Sequence, residues 1–313
     1  MNSVPHRNKL GGLVQLAQFF LTTSGHQAAR RRHMKRNEKI IRQYDKSFKR
    51  SEIARTRLLD GFIFDKEVIP VKDREYLIDV FDRCSADCNE ITKCYVPLID
   101  ESMAKIIRSI IDLYLQDMKV YLGPSLRLDC YYFHATTPAS SSSVSSSWHT
   151  DNVGHRIKIF VTLQSDGKIP TAYVPGSNRK LFRMPVLEQL RKFGIFDQGK
   201  KRGEELLRHE PGSVALLDTN GLHRGVYEAS RIRRLCFVIE FIDRKKADAL
   251  DGRHDTVGPG RIAPGCDPTR FTDAAVAILH DVLDERLLHN MGDGIQVYDL
   301  KRPSQEEFAQ MER

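Results

Sequence analysis

From residue 126 onward the chain is dominated by short segments of β-branched and aromatic residues. They are bounded by Gly, Pro, Asn and Ser and cover residues 126–134, 156–163, 171–174, 213–217 and 234–241. Parallel strands need crossover connections of a dozen or more residues, usually helical. No crossover helices are evident between these segments, and several short strands of this kind are typical of antiparallel sandwiches and barrels. The sequence therefore predicts a mainly β domain with helices at its flank.

Helical spacing of apolar residues occurs outside these strands. We predict helices over Val71–Cys84, Ser102–Tyr121 and Asp273–His289, the last with Thr272 as its N-cap. Folded structure is expected to begin near residue 58. The predicted organisation is an N-terminal arm (1–57), a β domain (58–245) and a C-terminal loop and helix (246–313) that packs on the β domain.

The basic charge of the chain is concentrated in the N-terminal arm. The whole chain carries a formal charge of +8, yet residues 1–58 hold 14 Lys and Arg against 3 Asp and Glu, so the remainder carries −3. The arm is expected to be a helical or flexible extension, and contact with an anionic surface is the alternative. Nucleic acid is not expected as a partner of the slightly acidic body.

Cysteine and hydropathy patterns indicate an ordinary protein of a reducing compartment. The six cysteines match neither a zinc-site spacing nor a disulfide framework. Thiols in a chain of this length then serve as small core residues. No apolar run approaches the roughly 18 residues that a bilayer crossing needs. We therefore expect a cytoplasmic protein without a transmembrane segment.

The segment Trp148-His149-Thr150-Asp151-Asn152 places a histidine and a carboxylate two residues apart. On a strand, residues i and i+2 point to the same face. His223, at the end of a later strand, would complete a 2-His-1-carboxylate set, which typically holds a non-haem Fe(II) that activates O₂. A lone His-x-Asp is common by chance. The interpretation therefore depends on its conjunction with His223 and with an arginine eleven residues further on.

Strand parity selects between two arginines. Arg234 shares a face with Cys236, Val238 and Glu240, whereas Arg233 shares the apolar face of the strand. The mixed face suits a polar pocket, so Arg234 is predicted to point inward as a forked cation for a co-substrate carboxylate. Arg233 remains the alternative.

Lys158 and Thr162 are weaker candidates for the same pocket. Both share a strand face with Phe160, opposite the apolar residues at 157, 159, 161 and 163. We assign them as candidate co-substrate-binding residues. An outward-facing Lys158 is the competing interpretation.

With these residues in place, the sequence resembles the phytanoyl-CoA dioxygenase-like family of Fe(II)/2-oxoglutarate-dependent oxygenases over residues 58–245. The matching stretches are Asp60-Gly61-Phe62, Trp148 to Asn152, Arg156 to Leu163, Tyr173 to Arg179, Asp218-Thr219, His223-Arg224-Gly225 and Arg234. The resemblance implies a double-stranded β-helix, or cupin-like jelly roll. It also implies His149, Asp151 and His223 as iron ligands, Arg234 as the partner of the distal carboxylate, and 2-oxoglutarate and O₂ as co-substrates.

The chain departs from the family pattern at two positions. Asn178 stands where the Pro-Gly-Ser-His element of the family has a histidine, which is not a metal ligand. Gly225 stands two residues after the distal histidine, where a hydroxyl residue often assists the co-substrate carboxylate. Related halogenases replace the carboxylate ligand with a small residue, so Asp151 argues against halogenation.

Three hypotheses about function follow. The leading one is a dioxygenase that hydroxylates a small or medium organic substrate and releases succinate and CO₂; desaturation, ring closure and epimerisation remain open. The second is a catalytically silent cupin-like module that binds a metal or ligand. In the third, the basic arm docks an oxygenase to an anionic partner. The identity of the substrate and the oligomeric state do not follow from the sequence.

Overall fold

The computed structural model describes residues 56–85, 93–94, 98–137, 146–151, 156–179, 199–228, 232–243 and 270–283, together with Lys39 and Val96. The predicted N-terminal arm lies almost wholly outside the described residues, as does most of the C-terminal region. The strands are β1 (Phe62–Asp65), β2 (Lys93–Cys94), β3 (Leu126–Thr136), β4 (Arg156–Gln164), β5 (Thr171–Tyr173), β6 (Glu205–Leu207), β7 (Val214–Asp218), β8 (His223–Gly225) and β9 (Arg234–Asp243). The helices are α1 (Val71–Ser85), α2 (Glu101–Tyr121) and α3 (Asp273–Leu279).

These strands form two antiparallel sheets. The larger sheet has the order β1-β7-β4-β9-β3-β2, and the smaller has the order β6-β5-β8. Tyr173 and Leu207 of the smaller sheet pack in one cluster with Leu217 and Phe160 of the larger sheet, so the sheets face each other. The predicted mainly β fold with flanking helices is confirmed, and two facing antiparallel sheets agree with the expected double-stranded β-helix.

Alternating residues divide the larger sheet into an outer apolar face and an inner mixed face. On β4 and β9 the outer side chains enter the main core with the helices: Ile157, Ile159, Val161, Leu163, Leu235, Phe237, Ile239 and Phe241. The inner side chains Cys236 and Val238 form a separate small cluster with Cys130 and Tyr132 of β3. Successive side chains of a strand point to opposite faces of the sheet, so a sheet that meets helices on one face alone has an apolar face there and a mixed face on the other side.

Helix α2 covers the outer face. Asp100 caps it, because its carboxylate accepts a hydrogen bond from the Met103 amide at 2.9 Å. Its apolar side chains Met103, Ile106, Ile107, Ile110 and Ile111 are buried, and α3 packs against α2 through the same core. Among the described residues, no helix has the length and apolar character that a membrane crossing requires.

The C-terminal helix prediction was wrong in its length. Thr272 does cap α3, accepting from the Ala275 amide at 3.3 Å, but the helix ends at Leu279. The Val282 amide bonds back to the Leu279 carbonyl, and the Val282 carbonyl accepts from Leu128 of β3. The chain therefore turns onto the sheet, because Val282 and Leu283 enter the core there. Residues 284–289 of the predicted helix lie outside the described residues.

Four short strands were not predicted. β1, β2, β6 and β8 contain between two and four residues each. Such segments carry too few residues to show a period of two. Their pairing is with distant parts of the chain, as in the antiparallel alignment of Phe62 with Leu217.

We expect truncation of a core residue of α2 to destabilise the domain. Ile110 is fully buried beneath the helix, so Ile110→Ala should lower the free energy of unfolding by about 2–5 kcal/mol. Leu113 is 59% exposed on the same helix, and Leu113→Ala should change it by less than about 0.5 kcal/mol. Urea unfolding of both variants measures the difference. Equal effects would contradict the described packing of α2.

Candidate metal centre

His149 and His223 face each other across an antiparallel bridge. Each backbone amide donates to the carbonyl of the other residue at 2.9 Å. His223 begins β8, but His149 belongs to an isolated bridge and not to the regular strand that we predicted. The exchange of both hydrogen bonds still fixes the two residues directly opposite each other. Their imidazole centroids consequently lie 4.3 Å apart.

Asp151 joins the two histidines from the same loop. Its amide donates to the Thr219 carbonyl at 2.9 Å, which ties the loop to the turn that precedes His223. Asp151 Oδ1 lies 3.6 Å from His149 Nε2 and 3.5 Å from His223 Nε2. One ligand atom from each of the three residues lies within 4.8 Å of the others. The structure therefore brings together all three predicted ligands.

Backbone carbonyls orient both imidazoles. His149 Nδ1 lies 2.7 Å from the Ser147 carbonyl, and His223 Nδ1 lies 2.9 Å from the Gly221 carbonyl. Because a carbonyl only accepts, each Nδ1 donates its N–H to that carbonyl, and Nε2 is the ring nitrogen left available to a metal. Both Nε2 atoms approach Asp151 Oδ1. Two imidazole nitrogens and one carboxylate oxygen with open positions are a donor set that fits non-haem Fe(II).

Lys158 holds the second oxygen of the aspartate. Its ammonium lies 2.7 Å from Asp151 Oδ2 and 3.4 Å from Glu240 Oε1. Burial acts to raise the pKa of Asp151, but Lys158, with His223 and His149, holds that pKa well below its ordinary value. Burial likewise acts to lower the pKa of Lys158, and the Asp151 and Glu240 carboxylates raise it instead. Lys158 thus points inward, and its ammonium is engaged by two carboxylates.

A buried ionic cluster stands behind Lys158. Glu240 accepts hydrogen bonds from the Tyr132 hydroxyl at 2.8 Å and from Arg156. Arg156 also lies 3.4 Å from the buried carboxylate of Asp129. Sequence reasoning missed this cluster, although strand parity placed Glu240 on the inner face. In this cluster each buried charge lies beside an opposite charge, which offsets the cost of burying it.

Arg234 and Arg233 point to opposite sides of β9. Arg234 is 5% exposed, and its Nη1 donates to the Ile169 carbonyl at 2.8 Å and to Thr171 Oγ1 at 3.2 Å. Arg233 instead lies over the Phe81 ring on the outer side, 4.8 Å from its centroid. The geometry therefore assigns the inward guanidinium to Arg234, as parity predicted.

Thr162 lies near Arg234 in a buried polar cluster that contains an unpredicted histidine. His209 Nδ1 lies 3.2 Å from Thr162 Oγ1, and His209 Nε2 lies 2.9 Å from Thr171 Oγ1. Burial, followed by the charges of Arg234 and His134, holds the pKa of His209 well below its ordinary value. His209 is consequently neutral at physiological pH. A lone histidine between Arg208 and Glu210 gave no sequence signal.

The turn that delivers His223 is built around the buried Asp218. Its carboxylate accepts from the Tyr121 hydroxyl at 2.5 Å and from the Asn220 amide at 2.8 Å. Asn178 donates to Tyr121 at 2.7 Å, so this departure from the family pattern contributes a structural bond to the turn. Burial raises the pKa of Asp218 to about 6, against the effect of its hydrogen bonds with Tyr121 and Asn220.

Trp148 anchors the loop that carries His149. Its ring is fully buried against Ala172 and Leu222, and its Nε1 donates to the Gly199 carbonyl at 2.6 Å. The guanidinium of Arg224 lies 5.1 Å from the ring centroid. Trp148, which directly precedes His149, therefore packs against Leu222 and Arg224, the two chain neighbours of His223.

Comparison with known proteins yields structural likeness alone. No protein-family model matches the chain, and no curated protein matches it. HygX from Streptomyces hygroscopicus, solved with nickel and 2-oxoglutarate bound, is 15% identical with a TM-score of 0.44, over 63% of this chain and 87% of that chain. SnoN, a non-haem α-ketoglutarate-dependent epimerase of nogalamycin biosynthesis, is 17% identical with a TM-score of 0.44, over 68% and 92%. The non-haem monooxygenase ThoJ, as a nickel complex, is 15% identical with a TM-score of 0.43, over 76% and 99%. Likeness at this level leaves the function of the chain to be inferred from its own site.

We expect Asp218 to make the stability of the domain depend on pH. Folding raises the pKa of Asp218 from 3.8 to about 6. The stabilisation of the folded state by the protonated Asp218 carboxyl is therefore complete below about pH 4 and is lost as the pH rises through about 6. Between pH 4 and pH 7 the free energy of unfolding of the wild type should fall by about 2–3 kcal/mol relative to Asp218→Asn. Urea unfolding at both pH values measures this difference.

The control for this experiment is Glu75→Gln, at an exposed position of α1. It should follow the pH dependence of the wild type. If Asp218→Asn also follows the wild type, Asp218 does not titrate in the folded protein as described.

Proposed function

We propose that the chain is an Fe(II)- and 2-oxoglutarate-dependent dioxygenase that acts on a small or medium organic substrate. The observation that carries this proposal is the convergence of His149 Nε2, Asp151 Oδ1 and His223 Nε2 within 4.8 Å of one another. Hydroxylation with release of succinate and CO₂ is the proposed reaction. Membership of the phytanoyl-CoA dioxygenase-like family is part of the proposal, as is a cytoplasmic location.

The metal would be held by the two imidazoles and the aspartate. Three ligands from one side leave positions of the metal open for 2-oxoglutarate and O₂. When bound, iron supplies the oxidising chemistry, and the protein supplies binding, orientation and electrostatics. Lys158 contributes to this by fastening Asp151 Oδ2, which leaves Oδ1 directed at the imidazoles.

Arg234 supports a dianionic co-substrate. Its hydrogen-bond partners among the described residues are all neutral oxygens, those of Ile169, Thr171 and Thr136, and no carboxylate of that part of the chain pairs with it. Its Nε is buried and has no hydrogen-bond partner there. A buried guanidinium without an anionic partner is costly. An incoming carboxylate removes that cost, and a forked cation is suited to bind it.

The inner face of β4 connects the two ends of the proposed pocket. Lys158 stands at the metal ligands, and Thr162 stands in the cluster beside Arg234. Phe160 lies between them on the same face and packs with Cys130, Tyr132, Cys236 and Val238. A co-substrate with one end at the metal and its distal carboxylate at Arg234 would lie along this face. We propose direct contact of Lys158 and Thr162 with the co-substrate as the weaker part of this assignment.

Removal of a metal ligand should abolish both metal binding and turnover. We expect Asp151→Ala and His223→Ala to weaken anaerobic Fe(II) binding by more than about 100-fold, because loss of a hydrogen-bond partner of a ligand alone costs 10–100-fold. Succinate release from 2-oxoglutarate should be lost in parallel. Titration calorimetry and succinate quantification measure the two effects.

His280→Ala serves as the control for the ligand variants. His280 is an exposed histidine just beyond α3, and its replacement should leave Fe(II) binding and succinate release unchanged. Retention of both activities in the Asp151 and His223 variants would refute the proposed function. Tight metal binding by the wild type without turnover of 2-oxoglutarate would instead favour the silent binding module.

Replacement of Arg234 and replacement of Arg233 should have different effects on the KM for 2-oxoglutarate. Arg234→Gln is expected to raise the KM for 2-oxoglutarate by about 30- to 5000-fold, as removal of one partner of a buried charge pair costs about 2–5 kcal/mol. Arg233→Gln should change KM by less than about 3-fold, because that guanidinium lies outside on Phe81. Initial rates of succinate formation at varied 2-oxoglutarate decide between them. A larger effect at Arg233 would contradict the assignment.

A further inference from the structure

Tyr173 of β5 stands directly opposite His223 of β8 in the smaller sheet. Directly opposed residues present their side chains on the same face, so the phenol ring lies beside the imidazole of a candidate metal ligand. The two ring planes are 15° apart, and their centroids are separated by 6.5 Å. Phe62 of β1 packs against the same phenol ring, with 5.4 Å between centroids. Tyr173 is fully buried, and these contacts leave its ring little freedom to move.

The hydroxyl of Tyr173 reaches the turn that delivers His223. It donates to the Asp218 carbonyl at 2.9 Å, and the Gly221 amide donates to the same carbonyl, also at 2.9 Å. A carbonyl oxygen has two lone pairs, so these two donors engage both of them. The Gly221 carbonyl in turn accepts from His223 Nδ1 at 2.9 Å. A single carbonyl therefore connects the phenol to the residue that orients the imidazole.

Two glycines make room for this hydroxyl. A Cβ atom added at Gly221 would lie 1.7 Å from the Tyr173 hydroxyl oxygen, and one added at Gly61 would lie 2.2 Å from it. Both distances are far below van der Waals contact, so a larger residue at either position would displace the phenol. Gly61 has a positive φ of 92°, which by itself favours glycine, whereas the φ of Gly221 is not positive. The phenol therefore accounts for the missing side chain at position 221.

We propose that Tyr173 is a positioning residue of the candidate metal centre. Its hydroxyl fixes the turn of residues 218–221. The Gly221 carbonyl of that turn then holds the His223 imidazole in its ligating orientation. An imidazole that is oriented before a metal arrives loses less conformational freedom when it binds the metal. Tyr173 therefore raises the affinity of the site for its metal without contacting it. This inference rests on the proposed function, because that function supplies the metal.

His149 provides an internal reference for this proposal, because a different carbonyl orients it. Its Nδ1 is held by the Ser147 carbonyl at 2.7 Å, in the loop that precedes Asp151. The route from the phenol through Gly221 leads to His223 alone. An effect confined to His223 therefore identifies that route, whereas a general loosening of the site affects both imidazoles.

The first measurement follows both imidazoles in the full-length protein, prepared without metal, by NMR of their N–H groups. His149→Ala and His223→Ala assign the signals. Tyr173→Phe keeps the ring and removes the hydroxyl. The Nδ1 proton of His223 should then exchange with solvent about 3- to 10-fold faster, which corresponds to the loss of one neutral hydrogen bond. The Nδ1 proton of His149 should exchange as in the wild type.

The second measurement is the affinity for Fe(II), determined by anaerobic titration calorimetry. Tyr173→Phe should weaken the binding by about 3- to 10-fold. Tyr114→Phe is the matched control, because Tyr114 is also buried and its hydroxyl donates to Asp65 at 3.1 Å, in the core at α2. The control should lower the free energy of unfolding in urea at least as much as Tyr173→Phe, since its hydrogen bond is to a carboxylate. It should leave Fe(II) binding and the exchange at His223 unchanged.

Gly221→Ala perturbs the same contact from the opposite side. Its methyl group displaces the phenol, so it should speed the exchange at His223 and weaken Fe(II) binding at least as much as Tyr173→Phe does. It takes the place of Tyr173→Phe in both measurements if the phenylalanine variant does not fold.

The outcomes separate this inference from the proposed function. Unchanged exchange at His223 in Tyr173→Phe, or equal acceleration at His149, would contradict the inference and leave the proposed function intact. Faster exchange at His223 with an unchanged affinity for Fe(II) would also contradict it, since the orientation would then have no effect on the metal. If the wild type does not bind Fe(II), the proposed function itself fails.

Discussion

The antiparallel pairing of β4 with β9 determines which side chains face the interior of the barrel. Its register aligns Lys158 with Glu240, Phe160 with Val238 and Thr162 with Cys236. A shift of one residue would turn all of these side chains to the helix layer and bring the apolar row inward. The register is held by the outer row, which is buried beneath α1 and α2. The core that stabilises the domain therefore also places the polar groups of the site.

Sequence patterns predicted those parts of the molecule that carry their own periodicity. β4 and β9 alternate over eight or more residues, so their faces, and with them the inward direction of Arg234, followed from parity. The candidate metal ligands His149, Asp151 and His223, which the structure brings together, were predicted from residue type and chain order. His209, Asp218 and the strand β8 could not be predicted in this way. Each acquires its role from partners more than thirty residues away, such as Thr171 and Tyr121, and no local spacing encodes those contacts.

Buried charge is arranged differently at the two ends of the inner face. Beside the candidate metal centre, Lys158, Arg156, Asp151 and Glu240 neutralise one another, which offsets the cost of their desolvation. At the other end Arg234 is surrounded by neutral oxygens among the described residues. The first arrangement is suited to holding a ligand set in a fixed geometry. The second is suited to binding an anion, because an anion bound there would neutralise the charge of Arg234.

The position of Trp148 makes it an intrinsic fluorescence probe of the candidate metal centre. It is the single tryptophan of the chain, so the indole emission comes from one ring. That ring is fully buried, and it contacts Arg224, the neighbour of His223; Trp148 itself directly precedes His149 in the chain. An open-shell ion between the two histidines would lie within quenching range of the indole. Fluorescence of the unlabelled protein should therefore follow metal loading directly.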